Sequence, residues 1–263
     1  MSTTPRLRMF AGPNGSGKST IKEVIPPQLL GVYINPDEIE KVLRKTGCLM
    51  LEEFAVQAAD VELMAYLRSS GLLEKAGLLV EVEKLSCRDG RLDFNGVAPN
   101  SYYASVIADF IRHQLLAART SFTFETVMSS PDKVEFLRKA KAHGFRTYLY
   151  FVATEDPAIN ISRVANRVAA GGHPVPEEKI ISRYYRSLDL LGEAVRYTDR
   201  AYIFDNSGQD RVWLAEVTDG VDLEFKGEWM PQWFKIALWD KSRADDVDAQ
   251  AAHAARRRGH ASP

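Results

Sequence analysis

Short apolar runs alternate with longer amphipathic stretches along most of this chain, the pattern left by parallel strands whose connections return as helices over the sheet. The runs at Leu7–Ala11, Gly31–Asn35, Ser121–Val127, Thr147–Ala153 and Ala201–Asp205 predict five strands. Between them, apolar spacing near 3.6 predicts helices around Ser19–Val24, Ser101–Arg119, Pro131–His143, Pro157–Ala169 and Pro176–Tyr197. The fold class expected is therefore α/β. One region breaks the rhythm: Thr46–Asn100 reads as a helix at Glu52–Ser69, a strand-like run at Leu78–Leu85, a turn at Arg88-Asp89-Gly90 and a short extended piece at Arg91–Phe94. A helix and a hairpin are predicted there, as an insertion after strand 2 at the substrate-facing end of the sheet. After Ser207 the sequence predicts a second extended pair, Val212–Thr218 and Val221–Phe225, split by Asp219-Gly220. Trp229, Trp233, Phe234 and Trp239 follow and read as core covering. The organisation expected is one domain over 1–240, with 46–100 inserted, and a flexible or helical tail over 241–263 whose Arg256-Arg257-Arg258 is solvated charge.

The first predicted strand runs straight into Gly12-Pro13-Asn14-Gly15-Ser16-Gly17-Lys18-Ser19-Thr20, a complete G-x-x-x-x-G-K-[ST] phosphate-binding loop. Its glycines allow successive backbone N–H groups to converge on a polyphosphate. Lys18 can reach the outer phosphates, and the Ser19 hydroxyl can sit on a magnesium ion. With this loop the α/β pattern sharpens to a P-loop kinase fold with a parallel, five-stranded core sheet.

Bulk properties narrow the partners. The 263 residues carry a net charge of -1, so no global field favours nucleic acid or an anionic membrane, and neither is expected as a partner. Cys48 and Cys87 lie far apart without metal-ligand or CxxC spacing and read as idle thiols. With no leader-like segment and no apolar run of membrane-spanning length, the expected location is cytoplasmic.

Phosphoryl transfer needs a metal ion, dispersed positive charge and a base or positioner for the acceptor hydroxyl. Asn35-Pro36-Asp37-Glu38-Ile39 closes the second strand, so Asp37 stands at a strand's carboxyl end, where open α/β sheets bind ligands; Pro-Asp-Glu is equally good helix-start chemistry. Glu125, followed by Thr126, ends the run Phe122-Thr123-Phe124 and can hold magnesium through water or grip the acceptor. Glu155-Asp156 and Asp205 also follow strands and compete for that role. Arg163 and Arg167 share a helix face, Gly171-Gly172-His173-Pro174-Val175-Pro176 breaks that helix, and Arg183 and Arg186 follow, a hinged arginine lid with a structural histidine in its hinge. The competing reading is a regulatory NTPase of the ABC or AAA kind that uses Glu155 or Asp205 as its hydrolytic acid.

Together Gly12–Thr20, Asn35–Ile39, Ser121–Ser130, Arg163–Leu188 and Phe204–Ser207 resemble the zeta-toxin family of P-loop kinases, above all its chromosomal branch with a Gly-Gly-His-x-Val-Pro lid. The likeness covers nearly all of the chain outside 46–100 and the tail. It implies an ATP- or GTP-dependent kinase, using magnesium, that phosphorylates the sugar of UDP-N-acetylglucosamine; a related branch acts on a nicotinamide dinucleotide. It also implies an antitoxin protein as partner. Carried onto this sequence, Gly12, Pro13, Asn14, Gly15, Ser16, Gly17, Lys18, Ser19 and Thr20 hold the nucleotide, and Asp37 activates the acceptor. Glu125 and Thr126 belong to the substrate site, Ser19 and Glu125 to the metal, and Arg167 and Arg183 to the lid. The insertion departs from the family pattern.

Overall fold

A computed structural model describes residues 4–57, 59–172 and 174–243. His173 and the tail from residue 244 onward, including Arg256-Arg257-Arg258, lie outside the described residues. The strands are β1 (Arg6–Ala11), β2 (Val32–Ile34), β3 (Cys48–Met50), β4 (Ser86–Arg88), β5 (Arg91–Asp93), β6 (Phe122–Thr126), β7 (Arg146–Ala153), β8 (Arg200–Asp205), β9 (Val212–Thr218) and β10 (Asp222–Phe225). The helices are α1 (Pro27–Leu30), α2 (Pro36–Thr46), α3 (Asp60–Arg68), α4 (Gly71–Lys75), α5 (Leu79–Val82), α6 (Ser101–Ala117), α7 (Asp132–Ala142), α8 (Pro157–Ala169), α9 (Glu177–Asp189), α10 (Leu191–Arg196) and α11 (Gln232–Phe234). The chain is an α/β protein whose central sheet is mostly parallel and flanked by helices. All five predicted core strands form.

The fold divides into two compact units, one made of 1–9, 22–126 and 142–146, the other of 10–21, 127–141 and 147–263. In the first unit the strand order is β2-β6-β1, with β2 and β6 parallel. Strand β6 is buried on both faces at Phe122, Thr123 and Phe124, as a strand covered on two sides must be. Helix α6 supplies the core with Tyr103, Ile107, Phe110, Ile111 and Leu115 and packs on α2, α3 and α4. Its Asn100 cap accepts from the amides of Tyr102 and Tyr103.

The 46–100 segment lies wholly within this first unit. It builds a separate antiparallel sheet in the order β3-β5-β4. Asp60 ties its turn: the carboxylate accepts from the Asp89 and Gly90 amides and the Cys87 thiol. Two expectations fail here. Leu78–Leu85 contains helix α5 instead of a strand, because Gly77 at φ +71 starts a turn and Glu81, Lys84 and Leu85 close i to i−3 hydrogen bonds. Glu52–Ser69 is two pieces, a 3-10 turn at Leu51–Phe54 and α3, parted at Ala55, which takes φ +54.

In the second unit the order is β1-β7-β8-β9-β10, with β7 and β8 parallel and the last two strands antiparallel, as the Asp219-Gly220 turn foretold. Helices α8 and α9 pack on each other, and α10 meets the turn of helix at Lys235–Trp239. Trp233 and Phe234 are buried in this unit, but Trp229 is 63% exposed and covers no core.

Candidate functional site

The second unit carries the phosphate loop between β1 and a 3-10 helix at Lys18–Val24. Gly12, Gly15 and Gly17 hold φ of +142°, +75° and +95°, values that L side chains rarely adopt. Sterics repeat the demand: a Cβ on Gly12 would run into the Val152 carbonyl, and one on Gly15 would lie 2.6 Å from the Asn160 carbonyl. Lys18 folds back, its ammonium donating to the Pro13 carbonyl at 2.8 Å. Two polar atoms inside the loop, Ser16 Oγ and Asn14 Oδ1, are buried and lack a hydrogen-bond partner among the described residues. Buried polar atoms without partners are costly in a folded protein, and of the two the Ser16 hydroxyl can donate to an anion.

Three residues outside the motif contact the loop directly, and a fourth acts through one of them. Asn160, fully buried in α8, donates from Nδ2 to the Asn14 carbonyl at 2.6 Å while its Oδ1 accepts from the Thr154 hydroxyl. Asn206, just past β8, donates to the Ser16 carbonyl at 2.8 Å. Arg163 holds that segment in turn, donating to the carbonyls of Asn206 at 2.7 Å and Gly208 at 3.2 Å. Arg211 donates to the Thr20 hydroxyl at 2.6 Å. Of these, Asn206 lies in the Phe204–Ser207 motif and Arg163 is a lid candidate by sequence, whereas Asn160 and Arg211 carry no sequence signal.

Arg163 is thus engaged with backbone, although it shares a helix face with Arg167. Arg167 stands exposed in the last turn of α8. The helix ends in a glycine cap: Gly172 N–H donates to the Arg167 carbonyl, Gly171 takes φ +89°, and a Cβ on Gly172 would lie 2.8 Å from both the Arg167 carbonyl oxygen and Cγ. Arg183 is half-buried in α9; Arg186 is exposed and returns its Nε to the Ser182 carbonyl at 3.2 Å.

The carboxylates that competed with Glu125 are differently occupied. Asp205 is buried and accepts from the Ser207 amide, the Ser207 hydroxyl and Trp233 Nε1, the last at 2.7 Å. Glu155 accepts from the Gln232 amide at 3.1 Å.

The first unit holds the remaining candidates at the carboxyl ends of β2 and β6. Asn35 is the N-cap of α2, its Oδ1 accepting from the Asp37 amide at 2.9 Å, and Pro36 occupies the first helical position. Asp37 is therefore a first-turn residue and not the cap, and it is exposed. Glu125 is buried and accepts from the Tyr33 hydroxyl. Thr126, the last residue of β6, is half-buried. Burial first, and the Glu125 charge second, push the Tyr33 phenol far above its ordinary value, so Tyr33 keeps its proton and acts as a donor.

A family model described as zeta toxin matches residues 100–218, the segment that runs from α6 through β9. The match covers 119 of the 263 residues, less than half of the chain. Among solved structures, this zeta-toxin-like chain is similar to one described as AvrRxo1-ORF1:AvrRxo1-ORF2 with sulphate ions, at 16% identity and a TM-score of 0.53, with 90% of this chain and 65% of that chain covered. It thus spans less than two thirds of that neighbour. It is also similar, at 16% identity and a TM-score of 0.48, to a structure from the PezAT chromosomal toxin-antitoxin system of Streptococcus pneumoniae, covering 93% of this chain and 88% of that one. An uncharacterized protein of Haemophilus influenzae is 28% identical over 72 residues, 27% of this chain and 51% of the relative.

Proposed function

We propose that this zeta-toxin-like protein is a kinase that transfers the γ-phosphoryl of ATP or GTP to a sugar hydroxyl of a nucleotide, with UDP-N-acetylglucosamine as the first candidate and a nicotinamide dinucleotide as the second. The observation that carries this reading is the division of labour among the acids. Of the two acids that a hydrolytic NTPase could use, Asp205 is buried under three hydrogen bonds and Glu155 accepts from the Gln232 amide, whereas Asp37 is exposed on the first turn of α2 because Asn35 has taken over the cap. A carboxylate placed so can accept the proton of an acceptor hydroxyl.

The donor reading rests on the loop. Positive-φ glycines and the buried, unpartnered Ser16 Oγ suit a polyphosphate, and one solved neighbour is an AvrRxo1-ORF1:-ORF2 structure described as with ATP. No cluster of three acidic, histidine or cysteine side chains that could hold a metal occurs among the described residues. Magnesium keeps several waters and leans on substrate phosphates and few protein oxygens; Ser19 is the residue proposed to hold it, while Glu125, with Asp37, is proposed to serve the acceptor. When bound, the ion would supply positive charge against the donor's outer phosphates. Lys18 would exchange the Pro13 carbonyl for phosphate oxygens. Arg167 and Arg183 would come down from α8 and α9 over the migrating phosphoryl and exclude water. The protein is proposed to act in the cytoplasm and to be held by an antitoxin protein.

The test is ATP consumption with magnesium, alone and with each acceptor. It should be slow alone and rise sharply with a nucleotide acceptor, which should gain one phosphoryl group by mass spectrometry. Lys18→Ala should abolish transfer, and alanine at Arg167 or Arg183 should reduce the stimulated rate far more than ATP binding. Phosphate release that is indifferent to every acceptor would overturn the reading in favour of an NTPase.

A further inference from the structure

Tyr33 sits in a half-buried position that the sequence pattern presents as an ordinary strand residue, yet its surroundings are polar. In the parallel pairing of β2 with β6, Tyr33 is opposite Thr123, which puts it on the same face as Glu125 two residues further along. Its hydroxyl donates to Glu125 Oε1. The Asn35 side chain, the cap that accepts from the Asp37 amide, is within hydrogen-bonding reach of the same phenol. On the ring itself rests Lys22, its ammonium 3.8 Å from the ring centroid and 3.6 Å from the Glu38 carboxylate. All of these residues belong to the first unit.

We propose that Tyr33 is a positioning residue of the acceptor site, holding the Glu125 carboxylate in the orientation in which it receives the sugar hydroxyl of a nucleotide acceptor; this rests on the kinase reading above. A buried carboxylate at the end of a strand has a side chain with three rotatable bonds, and a single charge-assisted donor removes most of that freedom. Tyrosine serves because its donor stands at the end of a rigid ring, which Lys22 clamps from the face. The same ring neighbours Asn35 and so links the Glu125 carboxylate to the start of the helix that presents Asp37. The two acids proposed to handle the acceptor thus share one support.

The experiment uses the full chain and the variant Tyr33→Phe, which keeps the ring, its packing and the Lys22 contact and deletes only the hydroxyl. With UDP-N-acetylglucosamine and the nicotinamide dinucleotide as acceptors, the acceptor KM should rise roughly ten-fold, the effect of losing one hydrogen bond to a charged group, while the ATP KM stays at its wild-type value. Combined with Glu125→Gln, the substitution should add less than about two-fold to the loss caused by Glu125→Gln alone, because both act through one carboxylate. An acceptor KM unchanged by Tyr33→Phe overturns the inference while leaving the kinase reading intact. So do equal losses of ATP and acceptor binding, the mark of a purely structural bond, and fully multiplicative losses in the double variant. A wild-type protein that phosphorylates no acceptor overturns the kinase reading and this inference with it.

Discussion

Replacing Asn160 with alanine should damage both the fold and the phosphate loop, in amounts that the local geometry sets. Asn160 and Thr154 are both fully buried, and the amide serves two partners: its Oδ1 takes the Thr154 hydroxyl and its Nδ2 supplies the Asn14 carbonyl at 2.6 Å. Without it the hydroxyl retains only a long contact of 3.4 Å to the Asp156 carbonyl. A buried hydroxyl left in that state costs about 1–3 kcal/mol, and the truncated volume adds about 1 kcal/mol more. For a chain of this size the melting temperature should fall by on the order of 10 °C. The Asn14 carbonyl also loses its donor, so the loop is less well held in its binding shape and ATP should bind roughly five-fold more weakly. Thermal melts give the first quantity and calorimetric titration with ATP the second. Thr154→Val separates the two: it orphans Asn160 Oδ1 and destabilises comparably, but it leaves the Asn14 contact in place and should spare ATP affinity. An Asn160→Ala protein that melts and binds ATP like the wild type would refute the idea that α8 holds the loop through this residue.

The remaining predictions concern single groups. Asp37→Asn should keep ATP affinity and cut phosphoryl transfer by roughly two to four powers of ten in single-turnover assays, the usual worth of a general base; a loss confined to stability would return Asp37 to a helix-start role. Burial first, and then the hydrogen bond to Asp60, push the Cys87 thiol up to about 12 from its ordinary 9.0. Since the folded value lies above the unfolded one, this group's contribution to stability is full below about pH 9 and disappears as pH rises toward 12. In native protein at pH 8.5, alkylation of Cys87 should therefore run at least about ten-fold slower than in denatured protein, and equal rates would contradict its environment.

Much of this protein is settled by sequence alone. The phosphate loop is legible because its chemistry is backbone chemistry: the glycines at 12, 15 and 17 are required by φ values that few other residues tolerate, so the requirement is written in residue type. The alternation of apolar runs with amphipathic stretches locates the five core strands for a similar reason, since a buried parallel strand must be apolar on both faces. Local pattern misleads where helix and strand compete over a few residues, as at Leu79–Val82, whose alternating valines are overruled by the turn at Gly77. What only the tertiary structure decides is which polar side chain meets which. Glu125, Glu155 and Asp205 look alike as acids that follow strands, and they part only when Tyr33, Gln232 and Trp233 arrive from distant points in the chain. Arg163 and Arg167 share a helix face, but the 206–208 carbonyls meet one of them and the glycine cap closes beneath the other. Asn160 and Tyr33 give no sign in one dimension, because a hydrogen bond across 146 or 92 residues imposes no spacing on the sequence.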